Sequence, residues 1–130
     1  MIQKNSVDTV SISVPPMESM SKVVRLATTA VASRIGLNID QADDLNTALD
    51  ELFRSCLAQH AGDKINFDVS YFIHPDHLEI VARGCVFADE KEKVGRYSRF
   101  LMESLADRVQ EIPNPHGGLD VVIVKQLVTH

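Results

Sequence analysis

The stretch Asp40–His60, DQADDLNTALDELFRSCLAQH, decides how the rest of the chain is read. Leu45, Ala48, Leu49, Leu52, Cys56 and Leu57 recur at three- and four-residue steps, which is one apolar stripe on an amphipathic helix. A second stripe is polar and runs through Asp44, Thr47, Glu51 and Ser55. Glu51 and Ser55 stand four residues apart, so their side chains leave the helix side by side. A carboxylate and a hydroxyl so placed suit two tasks, holding a metal or activating a nucleophile. The plainer reading is a solvated face on which Asp50 and Arg54 form an ion pair one turn apart. Spacing alone favours the plainer reading.

Working outward, Thr9–Val14 (TVSISV) alternates apolar β-branched residues with serine, which predicts a half-buried strand. Pro15-Pro16 stops it, because proline cannot donate to a ladder. A helix follows from about Glu18 to Ile35, with Met20, Val23, Val24, Ala27, Ala30 and Val31 as its apolar face and Gly36 as its C-cap. Asn38 and Asp40 offer N-cap oxygens to the central helix, which ends near Ala61-Gly62. Ile65–Ile73 and Leu78–Ala82 alternate on either side of the turn His74-Pro75-Asp76-His77 and predict an antiparallel hairpin. Gly84–Arg96 is charged and aperiodic, a loop whose segment Asp89–Tyr97 is expected to be the most mobile inside the chain. Ser98–Val109 recovers a helical period. Val109–Ile112 is a short strand, Pro113–Gly118 a turn, and Leu119–Val128 a near-continuous apolar strand suited to the inside of a sheet. Helices on one face of a mostly antiparallel sheet, an α+β fold, accommodate this order of elements.

At 130 residues the chain suits a single domain with a proper core. A formal net charge of -5 and the lack of a basic run argue against a nucleic-acid partner. No apolar run is long enough for a bilayer, and MIQKNSVD lacks the apolar centre of a signal peptide, so a cytoplasmic location without membrane contact is expected. Cys56 and Cys85 fit no metal spacing and read as small core residues. The five histidines lie mostly in loops or at the end and lack zinc-site pairing. There is no P-loop, no dinucleotide fingerprint and no nucleophile elbow.

Four segments in order carry a resemblance. They are VVRLATTAVASRIGL around Arg25, DELFRSCLAQHA (Asp50–Ala61), FLMESLADRV (Phe100–Val109) and GGLDVVIVK (Gly117–Lys125). Together they resemble the anti-sigma regulatory factors with serine-protein kinase activity, the RsbW and SpoIIAB type. The last three segments of that family read like SEACTNAVxHA, GLxLIxSLxDxV and GGTxVxLxK. The resemblance spans nearly the whole chain. It implies the GHKL ATPase fold shared by gyrase, histidine kinases and MutL, here a two-layer α/β sandwich with helices on one face of a mixed, mostly antiparallel sheet. It further implies one anti-sigma domain over residues 1–130, a sigma factor and a STAS-type anti-anti-sigma protein as partners, homodimerisation, and ATP with Mg²⁺ as cofactors.

Residue by residue, the resemblance makes Glu51 the general base. Ser55 stands where the family's asparagine holds Mg²⁺, so it becomes the candidate metal ligand. Arg54 beside it can fill the vacated charge space or meet a ligand phosphate. The family's D-x-G-x-G corresponds to ARGCV: Ala82 replaces the adenine-reading aspartate, Gly84 remains, and Val86 replaces the second glycine. The lid corresponds to GRYSRF, where Gly95 is the one glycine and Ser98 lies within the stretch. Gly118 matches the last glycine pair, but Leu119 follows it in place of threonine. The implied nucleotide-binding set is therefore Ser55, Arg54, Ala82, Gly84, Gly95, Ser98 and Gly118. Alanine cannot accept from the adenine amine, and valine adds a Cβ where backbone must approach phosphate. The expectation is an anti-sigma regulator that works by partner-switching, with a degenerate site that binds ATP and Mg²⁺ weakly or not at all. The alternatives are an active serine kinase acting on the anti-anti-sigma partner, or a GHKL-fold interaction module unrelated to sigma factors.

Overall fold

In the computed structural model, residues 8–59, 66–85 and 93–127 are described. The elements are β1 (Asp8–Val14), a short 3-10 turn (Glu18–Met20), α1 (Ser21–Ile35), α2 (Ile39–Gln59), β2 (Phe67–Ile73), β3 (His77–Cys85), α3 (Lys93–Leu105), β4 (Arg108–Pro113) and β5 (Leu119–Gln126). The strands form one sheet in the order β1-β2-β3-β5-β4. All four pairings are antiparallel, so the sheet of the described residues is not mixed.

The two-residue period of the strands becomes rows across the sheet. Val69, Ala82 and Val121 make one row, and Tyr71, Ile80 and Ile123 the next. All six are buried, and they share one core with Val24, Val31 and Ala32 of α1, Leu45, Leu49 and Leu52 of α2, and Met102 of α3. The three helices therefore cover the same sheet face, the α+β solution expected from the element order. Leu105 near the end of α3 is only partly buried.

Local signals explain the α1–α2 corner. Gly36 adopts φ 96°, which glycine tolerates. The amides of Gly36 and Leu37 then bond to the carbonyls of Ser33 and Ala32, a Schellman ending. Two residues on, Asn38 Oδ1 accepts from the Gln41 amide at 2.8 Å, and Gln41 Oε1 accepts from the Asn38 amide at 3.0 Å. This reciprocal capping box starts α2 at Ile39, with Asn38 rather than Asp40 as the cap.

Elsewhere packing overrides the sequence pattern. Val23 and Ala30, expected inside, are exposed, while Thr28 is fully buried. Thr28 is satisfied there because its hydroxyl donates to the Val24 carbonyl at 2.8 Å and lies 2.7 Å from the Tyr71 hydroxyl. The late helix begins at Lys93 and ends at Leu105, earlier at both ends than expected, and β4 is longer. Residues Lys93–Tyr97 of the expected loop are thus helical, whereas Asp89–Glu92 lie outside the described residues. Leu119–Gln126 sits between β3 and β4, so it needs no cover from a second molecule. Lys125 on that strand reaches the C-terminal end of α3, donating to the Leu105 carbonyl at 2.8 Å and pairing with Asp44 at 3.3 Å.

Burial pushes the Tyr71 phenol up to about 12, against the smaller opposite effect of its Thr28 bond. The unfolded chain ionises this group near pH 10 and the folded chain near 12, so stability present below pH 10 is lost as pH rises through that window. The loss amounts to roughly 2–3 kcal/mol. Denaturant titrations at pH 9 and pH 12 are expected to show it, and Tyr71→Phe is expected to remove that part of the decline. Equal alkaline declines in both proteins would contradict the assignment.

Candidate functional site

α2 and α3 pack against one another, and their contact holds the acid singled out by the sequence. Glu51 is 8% exposed, so the polar stripe is not a solvated face at this position. Ser98 Oγ donates to Glu51 Oε2 at 2.7 Å, and Arg54 Nη1 donates to Glu51 Oε1 at 3.1 Å. Ser98 itself is 1% exposed. The expected Asp50–Arg54 pair does not form. α1 lies alongside α2 and brings Arg25 to Asp50, which frees Arg54 to turn to Glu51. A carboxylate with a hydroxyl at this distance has the geometry of a general base with its hydroxyl in place.

The glycines of the expected nucleotide set form a second cluster, at the ends of β3 and β5. The β3–β5 register shifts between Ala82 and Cys85, and Gly84 at φ 66° makes the irregularity. Its amide donates to Asp120 Oδ1 at 3.0 Å, which also accepts from Asn114 Nδ2 at 2.8 Å. Gly118, at φ 74°, packs so closely that a Cβ there would lie 2.8 Å from the Cys85 carbonyl oxygen. These glycines serve the crossing of two backbones. Ala82 is fully buried in the core row with Val69 and Val121. Gly95 is the third residue of α3, and Ser55 is half-buried on α2. Val86 lies outside the described residues.

Cys56 and Cys85 bring these two regions together, and no motif could have announced it. Both thiols are free and buried. The hydrogen bond with Cys56, and then burial, hold the Cys85 thiol far above the ordinary thiol range. Thiolate is the reactive form, so the folded protein at pH 8 is expected to leave a disulfide reagent such as DTNB unconsumed for minutes, and the unfolded chain to consume two equivalents. A thiol reacting within seconds in the folded protein would contradict this burial.

No cavity among those described is lined by Glu51 or Ser55. The one that touches Gly84 holds only about 20 Å³. A larger one, about 520 Å³, opens between α1 and α2, lined by Glu18, Lys22, Arg25, Asp50, Phe53, Arg54 and Leu57 among others. Val23 and Leu26 stand exposed on α1, Leu26 at 71%. Sequence periodicity missed this second apolar side of α1, although Leu26 falls outside the inward stripe. Among the described residues no three of His, Cys, Asp and Glu converge in a way that could hold a metal.

Comparison with known proteins agrees with this arrangement. No family model matches the sequence. The chain is 26% identical to the serine-protein kinase RsbW of Bacillus subtilis, over 95% of its own length and 89% of that protein. It is 28% identical to the RsbW of Oceanobacillus iheyensis, over 85% of its length and 82% of that protein. The chain is similar to the RsbW serine-protein kinases over most of its length. A crystal structure of the RsbU and RsbW domains of a Mycobacterium tuberculosis protein shares its fold, with a TM-score of 0.67 at 13% identity. That match covers 95% of this chain and 34% of the larger protein. The RsbW-like fold is the expected GHKL sandwich: Glu51 sits on its second helix and Gly84 and Gly118 at neighbouring strand ends. No helix among the described residues is long and apolar enough to cross a membrane.

Proposed function

We propose that this chain is a cytoplasmic anti-sigma regulator of the RsbW type, one domain over residues 1–130, that works by partner-switching through a degenerate nucleotide site. It holds a sigma factor and releases it to a STAS-type anti-anti-sigma protein. The observation that carries the reading is the state of Glu51, both of whose oxygens are engaged by the chain's own Ser98 and Arg54. Ala82, at the adenine-reading position, is sealed in the core, and the Gly84 amide is spent on Asp120. The described residues do not fit ATP with Mg²⁺ as they stand.

The features that remain open suit proteins instead. Lys22, Arg25 and Arg54 line the groove between α1 and α2 together with Glu18 and Asp50, with Phe53 and Leu57 beside them and Leu26 exposed nearby on α1. Such a mixed charged and apolar surface suits an amphipathic segment of a protein partner. Co-expression with each sigma factor of the source genome tests the reading. One is expected to co-purify with the chain and to be released by a STAS-domain protein; capture of none overturns it. A homodimer belongs to the same reading, and light scattering reports it.

An active serine kinase is the second reading, favoured by one observation. Glu51 is retained and lies 2.7 Å from a hydroxyl, within reach of a proton transfer. Transfer of labelled phosphate from ATP to the anti-anti-sigma protein would establish it.

A further inference from the structure

We propose that Ser98 is an internal pseudosubstrate, whose hydroxyl occupies on Glu51 the place of a hydroxyl-bearing side chain of a protein partner and keeps the site shut until such a partner displaces it. The identity of that partner rests on the RsbW-type reading; the occupation of Glu51 does not.

The geometry is specific. The 2.7 Å contact between Ser98 Oγ and Glu51 Oε2 is the separation at which a carboxylate base receives a hydroxyl. Arg54 holds the other oxygen, so the carboxylate is turned with Oε2 towards α3. Ser98 is 1% and Glu51 8% exposed, so the carboxylate has little access to a second hydroxyl while Ser98 is in place. Ser98 and Glu51 are 47 residues apart in sequence, and the bond is made by packing α3 on α2, not by a local turn. One turn further on, Met102 is buried in the core and anchors the same side of α3. On the outer side of that helix, Tyr97 and Phe100 are exposed.

A hydroxyl is also what the relatives handle, since they are named serine-protein kinases. A serine or threonine from outside therefore competes with Ser98 for one oxygen. A partner lacking that hydroxyl gains nothing from opening α3. The apparent affinity for the partner is its intrinsic affinity multiplied by the fraction of molecules in which Ser98 has left Glu51.

Labelling of carboxylates with a water-soluble carbodiimide and glycinamide tests this on the whole protein, read by peptide mass spectrometry with exposed Glu103 as the internal reference. Ser98→Ala is expected to raise labelling of Glu51 about tenfold or more, the worth of one charge-assisted bond. Ser98→Thr, which keeps the hydroxyl, is expected to stay close to the unmodified protein. If Ser98→Ala leaves Glu51 as protected as before, packing and not the hydroxyl closes the site, and the proposal fails. Equal labelling of Ser98→Ala and Ser98→Thr overturns it too, because disturbed packing then opens the site. Sigma-factor capture reports separately: labelling that follows the hydroxyl without any capture leaves the pseudosubstrate standing and removes the RsbW-type reading, and the reverse result removes only the pseudosubstrate.

Discussion

Ala82→Asp is expected to cost a large part of the protein's stability. The substitution puts back the carboxylate that reads adenine in the family which the chain resembles, yet the site it enters is closed. Ala82 is 0% exposed, and its row neighbours Val69 and Val121 offer no hydrogen bond. An unpaired charge in such a place is worth at least about 3–5 kcal/mol of destabilisation. Domains of this size hold roughly 5–15 kcal/mol in total. The urea midpoint is expected to fall sharply at pH 7 and to recover partly at pH 4, where the introduced carboxyl is closer to neutral. A variant as stable as the parent at pH 7 would mean that water or a ligand reaches position 82, and the closed site would be wrong.

Gly118→Ala comes second. Its φ of 74° is strained for any residue with a Cβ, and that Cβ would meet the Cys85 oxygen at 2.8 Å and Gly84 backbone at 3.0 Å. Neither neighbour is a flexible side-chain end. Left-handed strain costs about 1–2 kcal/mol, and the clash adds to it. A loss of about 2–4 kcal/mol in chemical denaturation is expected. Gly117→Ala offers the comparison, since φ there is 109° but nothing lies within 4 Å of its Cβ position. The Gly118 variant should lose more than the Gly117 variant. Equal losses would show that strain alone matters and that the approach to β3 does not.

Both variants separate what the sequence discloses from what it withholds. The apolar stripe of α2 and the alternation of β2, β3 and β5 are local periods, and Leu45, Leu49, Leu52, Tyr71, Ile80 and Ile123 are all buried where the periods place them. The Gly36 and Asn38 signals work because capping is decided within a few residues. Periodicity failed where partners come from afar. α1 carries apolar residues on two sides, and only the sheet decides that Thr28 goes in and Val23 stays out. Lys93–Tyr97 has no apolar period, yet it is helical, with Ser98 just beyond it bonded to α2. The site followed the same rule. Glu51, Arg54 and Ser98 were each legible as candidates, and the structure brings those three together. It scatters Ala82 into the core and gives Gly84 and Gly118 to a backbone crossing. The contact of Cys56 with Cys85 had no sequence signal at all.

The central claim is that this RsbW-like chain acts through protein contacts with Glu51 withheld from nucleotide. Calorimetry of the unmodified chain with ATP and Mg²⁺ tests it most directly. Loss of the adenine reader at Ala82 and of the metal amide at Ser55 removes two contacts worth about 1.5–3 kcal/mol each. Opening the Ser98–Glu51 contact adds to that deficit. The predicted result is no saturable heat, a dissociation constant weaker than about 1 mM. Binding at about 1–10 µM would contradict the account and favour the active kinase.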